Sequence, residues 1–451
     1  MSESLLSVGL DVGTTSTQMV VSRLEIENKA SGFAVPEMEI SERQILYRSP
    51  VYFTPLKGES LVDGAGVREI VEKEYRKAGI TPAAVDTGAV IITGETSRKE
   101  NARQVLDALA EYAGDFVVAT AGPDLESVLA AKGAGADAYS AQTGKTVLHM
   151  DIGGGTSNLA LIRDGKITET GCLNVGGRLL KFDSSGVVTY VSPVLDGICD
   201  WKLGQRVEEK QVEQVASVLV EALEMAAGLR DRTQLLERLW TKECGPMWAS
   251  APTDVTVSFS GGVADCIEKK IPWLEFGDLG PVLGRMIRES RLCAGEYRLG
   301  SETIRATVIG AGCHSAQLSG STVFYRNVPL PLKNVPVVKP EAVTAEGIQR
   351  ALSKQEGLAV LALEGKVSPA YREIVSLAEE LIGGFSDRPV LVCLEQDMAK
   401  ALGQALAVRL GEDARILCID RVRVQEESFL DIGVPIGPAL PVVVKTLVLG
   451  R

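Results

Sequence analysis

A stretch near the middle of the chain combines a carboxylate with glycines and hydroxyls at the end of an apolar run. Residues 148–161 read LHMDIGGGTSNLAL, which places Asp151 directly before the glycines. Glycines let backbone N–H groups come close to an anion, and an aspartate at a strand end can hold a hard cation beside it. The pattern predicts a strand, a phosphate-sized turn and a second strand, with an ordinary hairpin turn as the alternative.

The same pattern occurs a second time, near the N-terminus. Residues 8–21 read VGLDVGTTSTQMVV and align with residues 148–161 without a gap, so Asp11 takes the place of Asp151. A repeat at this spacing predicts two similar α/β halves. Each half would offer one loop and one carboxylate to a shared cleft.

Two facing loops of this kind suit a nucleoside triphosphate with Mg²⁺. Backbone N–H groups and threonine hydroxyls would cradle the phosphates, and the two carboxylates would hold Mg²⁺ through waters, because this ion dehydrates reluctantly. We therefore expect ATP and Mg²⁺ as cofactors. The predicted residues are Gly13, Thr14, Thr15, Gly153, Gly154, Gly155 and Thr156 for the nucleotide, and Asp11 and Asp151 for the metal.

Length and composition limit the class of protein. The 451 residues are 45% apolar with 46 glycines, which is typical of an α/β protein of two to four domains. The net charge of −12 argues against a general nucleic-acid or membrane binder. No signal peptide or membrane-length apolar run is recognised, so we expect a cytoplasmic protein. The eight scattered cysteines favour reduced thiols. The presence of only two histidines argues against a histidine-based catalytic or metal site.

Three further segments bear on the cleft and on what surrounds it. The strand at 254–259 ends in Ser260-Gly261-Gly262, where paired glycines would let a flat ring such as adenine approach, with an ordinary turn as the alternative. The small-residue segments 133–138 and 310–316 predict two helices that pack closely at a hinge.

The character of the chain changes after residue 320. Prolines between 328 and 340 predict an extended linker or edge strand, and a further α/β unit without a catalytic constellation follows it. The predicted domains are therefore 1–145, 146–325 and 326–451.

In this order, the motifs resemble the five-part signature of the ATPase superfamily of actin, sugar kinases and heat-shock chaperones. The resemblance covers residues 5 to about 320. It implies an α/β fold of duplicated actin-like (ribonuclease H-like) ATPase lobes, which close on ATP at a central cleft, plus a C-terminal α/β module. It also implies that Gly261 and Gly262 lie near the adenosine.

Within that superfamily the chain most resembles the reactivating factors of ethanolamine ammonia-lyase. The segments that carry the resemblance are 8–17, 92–96 (ITGET), 121–127 (AGPDLES) and the extra C-terminal module. The resemblance implies an ATP-dependent chaperone whose partner is this adenosylcobalamin enzyme, and which lets damaged cobalamin leave. The alternatives are a small-molecule kinase, a reactivase of another cobalamin enzyme and an actin-like filament former.

The group that positions water for ATP hydrolysis is assigned to Glu95 or Glu126. Each glutamate lies near a predicted strand end or helix start on the cleft side. The alternative is a carboxylate that merely stabilises a helix N-terminus. The sequence leaves open a homodimer, and it leaves open residence in a bacterial microcompartment with the client.

Overall fold

The computed structural model describes most of the chain. The described residues are 3–13, 16–28, 38–57, 61–93, 105, 109, 117–120, 123–241, 244, 248, 252, 254–314, 316–319, 322–355, 357–422, 424, 428–435 and 440–446.

Strands and helices alternate along these ranges. The strands are β1 (Glu3–Val12), β2 (Ser16–Asn28), β3 (Met38–Arg48), β4 (Tyr52–Phe53), β5 (Leu56–Lys57), β6 (Leu61–Val62), β7 (Thr87–Ile92), β8 (Val117–Thr120), β9 (Val147–Ile152), β10 (Ser157–Arg163), β11 (Lys166–Leu173), β12 (Leu180–Phe182), β13 (Val188–Val191), β14 (Thr256–Ser260), β15 (Tyr297–Leu299), β16 (Ala316–Leu318), β17 (Phe324–Arg326), β18 (Leu332–Val338), β19 (Val360–Leu363), β20 (Val390–Leu394), β21 (Ile416–Ile419), β22 (Ser428–Ile432) and β23 (Pro441–Thr446). The helices are α1 (Gly64–Ala78), α2 (Pro123–Gly133), α3 (Ala136–Thr143), α4 (Glu209–Ala226), α5 (Gln234–Leu239), α6 (Gly280–Glu289), α7 (Ala306–His314), α8 (Ala345–Leu352), α9 (Tyr371–Phe385) and α10 (Ala399–Leu410), with short 3₁₀ helices at Pro82–Ala84, Pro193–Leu195, Ala264–Cys266 and Arg291–Cys293.

Two sheets repeat one topology. The first runs β3-β2-β1-β7-β8 and the second β11-β10-β9-β14-β15. In both, the first three strands are antiparallel neighbours and the last two join in parallel. We call the first sheet with its helices the first lobe and the second sheet with its helices the second lobe. The predicted duplication of α/β halves is confirmed.

The repeated motif occupies the same place in each lobe. β1 and β9 are the central strands, and each carries its aspartate at its carboxyl end. Asp11 lies beside Ile91 of β7, and Asp151 lies beside Ser260 of β14. Because parallel strands are covered on both faces, the residues next to these aspartates along β1 and β9 are apolar and buried, namely Leu10, Val12, Met150 and Ile152.

Helices α2 and α7 cross each other between the lobes. A Cβ atom at Gly310 would lie 2.0 Å from the carbonyl oxygen of Leu129, so only glycine allows this approach. α7 also packs on β1, β2 and β7, whereas α2 packs on β9, β10 and β11. The predicted close packing of two small-residue helices is therefore present.

The bounds of these two helices differ from the prediction. α7 begins at Ala306 and ends at His314, and Ala316 already belongs to β16. The segment 133–138 is a junction, because Gly135 takes a φ of +73° between α2 and α3. The small residues mark where the helices touch, not where they start and stop.

A third sheet contains the C-terminal strands. Its order is β16-β23-β22-β18-β19-β20-β21-β17, and the four strands β18 to β21 are parallel. Apolar residues of α8, α9 and α10 cover one face of these parallel strands. The eight cysteines of the chain are buried, and none of them forms a disulfide.

The proline-rich stretch was predicted as a linker or edge strand, and this prediction was wrong. β18 is internal, between β22 and β19. Pro336 is tolerated because the ladder with β22 shifts register between Leu332 and Val335, while parallel pairing with β19 begins only at Val337.

Within the described ranges, no helix has the length and apolar character needed to cross a lipid bilayer.

β16 and β17 of the third sheet begin before residue 326. The domain limits at 145/146 and 325/326 stay predictions.

Candidate functional site

A cleft of about 530 Å³ lies between the two lobes, at the carboxyl ends of β1 and β9. Most of the residues predicted for the site line it together. They are Asp11, Gly13, Glu126, Asp151, Gly153, Gly154, Gly155, Thr156, Gly261 and Gly262. Thr14, Thr15 and Glu95 lie outside the described residues.

The carboxylate of Asp11 lies at the cleft wall with a single described hydroxyl partner. Thr93 Oγ1 donates to Asp11 Oδ1 at 2.8 Å, and the residue is only 8% exposed. Burial raises the pKa of Asp11 to about 7, against the opposing effect of the Thr93 hydrogen bond. The negative charge of Asp151 raises this pKa further, so the two carboxylates repel each other across the cleft.

Asp151 is held from two sides. Ser260 Oγ donates to its Oδ1 at 2.5 Å, and Thr307 Oγ1 donates to its Oδ2 at 3.4 Å. Burial raises the pKa of Asp151 to about 6, although both hydrogen bonds oppose the change. Ser260 comes from the strand beside Asp151, and Thr307 comes from the crossing helix α7. Asp151 is therefore held by its own sheet and by one of the two helices that cross between the lobes.

A buried histidine lies behind Asp151. His149 Nε2 is 2.8 Å from Ser260 Oγ, and its Nδ1 is 3.1 Å from Ser258 Oγ. Since Ser260 gives its proton to Asp151, it accepts from Nε2–H, and Nδ1 accepts from Ser258. Burial lowers the pKa of His149 to about 3, so the ring stays neutral. The ring therefore joins Ser258 to Ser260, the serine that donates to Asp151.

The same backbone hydrogen bond is made at the start of both glycine motifs. Gly13 N donates to Ser16 O at 2.8 Å, and Gly153 N donates to Thr156 O at 2.9 Å. These two N–H groups are therefore used inside their own loops. Among the described residues, no backbone hydrogen bond uses the N–H groups of Gly154, Gly155 and Thr156, which leaves them for an anion.

The third glycine turn follows β14 and packs against the end of β9. Gly261 has a φ of +86°, and a Cβ there would lie 2.3 Å from the carbonyl oxygen of Ile152. Val263 N also donates to Ile152 O at 3.1 Å. The turn therefore lies next to Asp151 and leaves Gly262 on the cleft wall.

Glu126 lies in the first turn of α2 and is 6% exposed. Its Oε2 accepts from Asn158 Nδ2 at 2.8 Å. Asn158 comes from β10 of the second lobe and also lines the cleft. The glutamate is thus oriented by a neighbouring amide, as a residue that positions a water needs to be.

The charge of the cleft is strongly unbalanced. Among the described residues that line it, six are acidic and one, Arg178, is a cation. The acidic residues are Asp11, Glu126, Asp151, Asp265, Glu275 and Asp278. An anionic ligand needs a bridging cation in such a place. Among the described residues, no three His, Cys, Asp or Glu side chains form a metal-ligand set. Asp11 and Asp151 are the carboxylates at the strand ends that could hold a metal ion through waters.

The family model of the ethanolamine utilisation protein EutA matches residues 3–450. The chain belongs to the EutA family. A relative from Salmonella typhimurium LT2 is 38% identical over 468 residues, with 98% of both chains covered. One from Escherichia coli K12 is 39% identical over 461 residues, again with 98% of both covered. Both are named ethanolamine ammonia-lyase reactivase EutA.

The solved structures that resemble the chain include a PPX-GPPA enzyme of Aquifex aeolicus. It is 13% identical and has a TM-score of 0.43, with 68% of this chain and 99% of that chain covered. A likeness at this TM-score carries no argument about the site. The duplicated sheet topology rests on the strand pairing of this chain itself.

Several cleft residues were missed by the sequence reasoning. Thr93, Asn158, Arg178, Asp278 and Thr307 all line the cleft. The signal for Arg178 was present, because it directly follows a second pair of glycines at 176 and 177. Asn158 and Thr93 lie inside the segments 148–161 and 92–96 but were not singled out there. Asp278 and Thr307 are single polar residues that belong to no short motif.

Proposed function

We propose that the chain is an ATP-dependent reactivating chaperone for adenosylcobalamin-dependent ethanolamine ammonia-lyase. Family membership and the names of two full-length relatives support the client. The observation that carries the ATP dependence is the pair Asp11 and Asp151. Two equivalent strands bring these buried, mutually repelling carboxylates to one cleft.

In this proposal the nucleotide binds across the cleft. The N–H groups of Gly154, Gly155 and Thr156 hold phosphate. From the sequence, Thr14 and Thr15 are proposed to add donors from the first loop, next to Gly13 at the cleft wall. Asp11 and Asp151 hold Mg²⁺ through waters, and the ion neutralises charge on the phosphates. Gly261 and Gly262 form the wall against which the adenosine lies.

Two glutamates remain candidates for the group that positions the attacking water. Glu126 is held by Asn158 at the cleft wall. Glu95 is proposed from its position in the sequence, near a predicted strand end on the cleft side. The variants Glu126→Gln and Glu95→Gln separate them, because loss of the positioning carboxylate lowers ATP turnover by about 10²–10⁴-fold while ATP still binds.

Lobe closure supplies the mechanical step. The crossing helices α2 and α7 connect both lobes, and Thr307 of α7 contacts Asp151 directly. Strand β23 of the third sheet packs on β8 of the first lobe, so the C-terminal module moves with that lobe. ATP-linked closure would thereby change the surface offered to the client and let damaged cobalamin leave.

Ethanolamine ammonia-lyase inactivated by turnover tests the proposal. It is incubated with the chain, ATP, Mg²⁺ and fresh adenosylcobalamin. We expect lyase activity to recover only with ATP, to recover fully with the control Asp164→Asn and to stay lost with Asp151→Asn. Asp164 is an exposed turn residue with a φ of +48°, which asparagine also adopts.

Absence of recovery while ATP hydrolysis is intact would contradict the client assignment. The search would then move to another cobalamin enzyme, or to a kinase if a sugar, polyol or short-chain acid accelerates ATP turnover.

A further inference from the structure

Arg178 is the one cation among the described residues that line the cleft. We propose that Arg178 binds the phosphates of the nucleotide and that Asp278 and Phe53 hold its guanidinium in place. The inference rests on the proposed nucleotide site and adds a residue that makes this site selective for the number of phosphates.

The backbone of Arg178 is attached to the phosphate loop of the second lobe. Gly177 N donates to Gly153 O at 2.9 Å, and Arg178 N donates to Gly154 O at 2.6 Å. The side-chain stem lies along the same loop, since a Cβ at Gly154 would be 3.6 Å from Arg178 Cβ, Cγ and Cδ. The arginine therefore starts beside the N–H groups that remain for an anion.

The guanidinium is oriented through one nitrogen. Arg178 Nε lies 3.4 Å from Asp278 Oδ2. Asp278 is itself fixed, because its Oδ1 accepts from Gly280 N at 2.9 Å at the start of α6. Within the described part of the chain, no hydrogen bond involves Nη1 or Nη2 of Arg178. An arginine held at Nε with both terminal nitrogens open presents the fork that binds phosphate oxygens in pairs.

The other contact of the guanidinium crosses the cleft. Its central carbon lies 5.6 Å from the ring centre of Phe53, which is within the range of a cation–π interaction. Phe53 comes from β4 of the first lobe, whereas Arg178 belongs to the second. Phe53 is 79% exposed and lines the cleft, so its ring is accessible to this contact. The pair connects the lobes directly at the phosphate end of the cleft.

Charge balance makes the arginine necessary for polyphosphates. A Mg²⁺ ion neutralises only part of the charge of a bound triphosphate. Apart from Arg178, the Asp, Glu, Lys and Arg side chains described in the cleft wall are all acidic. The guanidinium should therefore matter most for ATP, less for ADP and least for AMP. A merely structural arginine would affect all three equally.

The test measures dissociation constants of ATP, ADP and AMP with Mg²⁺ by isothermal titration calorimetry. We expect Arg178→Gln to weaken ATP binding about 10- to 100-fold, which is the range for hydrogen bonds to a charged group. AMP binding should change less than about 2-fold, because AMP lacks the β- and γ-phosphates whose hydrogen bonds to Arg178 would be lost. Arg178→Lys should fall between wild type and Gln, because lysine keeps the charge and loses the fork. Phe53→Leu should weaken ATP binding about 2- to 5-fold.

Arg163→Ala is the matched control. Arg163 is exposed at the end of β10 in the same lobe, outside the cleft. Equal weakening of ATP, ADP and AMP, or unchanged ATP binding in Arg178→Gln that melts like wild type, would overturn the inference and leave the nucleotide site standing. Wild-type protein that binds none of the three nucleotides would overturn the proposed function and, with it, this role of Arg178.

Discussion

Replacing Asp11 by asparagine should stabilise the chain at pH 8 when metal and nucleotide are absent. The asparagine side chain has nearly the same shape, and its Oδ1 can still accept from Thr93. What it removes is a negative charge that burial and the neighbouring Asp151 disfavour. The prediction follows directly from the pKa of Asp11, which is about 7 against an ordinary value of 3.8.

The sign and size come from proton linkage. Between pH 3.8 and about 7 the folded chain keeps the Asp11 proton that the unfolded chain has lost, so stability falls as pH rises through this window and stays low above it. At 1.36 kcal/mol per pH unit, the whole window corresponds to ~4 kcal/mol, and the part between pH 5 and 7 to ~3 kcal/mol. Asparagine titrates nowhere in this range. The difference in unfolding free energy, variant minus wild type, should therefore rise by ~3 kcal/mol from pH 5 to pH 8.

Urea unfolding in the presence of EDTA, followed by far-UV circular dichroism, measures this difference. Circular dichroism is preferred because all four tryptophans lie between residues 201 and 273, in the second lobe. Asp164→Asn, the same chemical change at an exposed turn residue outside the cleft, serves as the control. A difference that is the same at pH 5 and pH 8, or a variant less stable at pH 8, would refute the assignment of a buried, disfavoured charge to Asp11.

Two other predictions concern residues behind the cleft. His149→Leu removes a hydrogen-bond partner of Ser260 and should raise the Mg²⁺ concentration needed for ATP binding about 10- to 100-fold, as expected when a residue that orients a metal ligand is lost. A magnesium titration at fixed ATP concentration measures this midpoint. A midpoint equal to that of the wild type would contradict the prediction. Gly310→Ala should destabilise the chain by ~1–3 kcal/mol or more through overpacking of α2 against α7. Thermal melts measure both this variant and the control Gly295→Ala, where a Cβ meets nothing within 4 Å. The stability of the control should stay within about 0.5 kcal/mol of the wild type. Equal melting of the two variants would contradict the close helix contact.

The duplicated lobes and the cleft could be predicted because their signal is local and repeated. An apolar strand, an aspartate and a glycine turn occupy consecutive residues, so the strand end and the loop need no long-range information. The repeat then places Asp11 and Asp151 at equivalent strand ends, as the strand pairing bears out. The close crossing of α2 and α7 was likewise visible as two runs of small residues.

The missed features depend on contacts between distant segments. Arg178 acquires its setting from Phe53, 125 positions earlier, and from Asp278, 100 positions later. Neither spacing leaves a pattern in the sequence. The internal position of β18 was missed for the same reason, because its prolines indicate an edge until the register shift against β22 is known.

The electrostatics of the cleft suggest why nucleotide and metal should act together on lobe closure. Asp11 belongs to the first lobe and Asp151 to the second, and the charge of one raises the pKa of the other, so bringing the lobes together without a cation increases repulsion. A divalent ion between them reverses the sign of that interaction, and phosphates on the ion give Arg178 and the free loop N–H groups an anion to bind. Arg178 already meets Phe53 across the same gap.

Since α2 and α7 meet at glycine contacts too close for any Cβ, the lobes should move as rigid bodies about that crossing and not by deforming it. In the proposed mechanism, charge neutralisation at one end of the cleft would be converted into rotation at the helices. The third sheet contacts the first lobe through β23 on β8 and would follow that lobe.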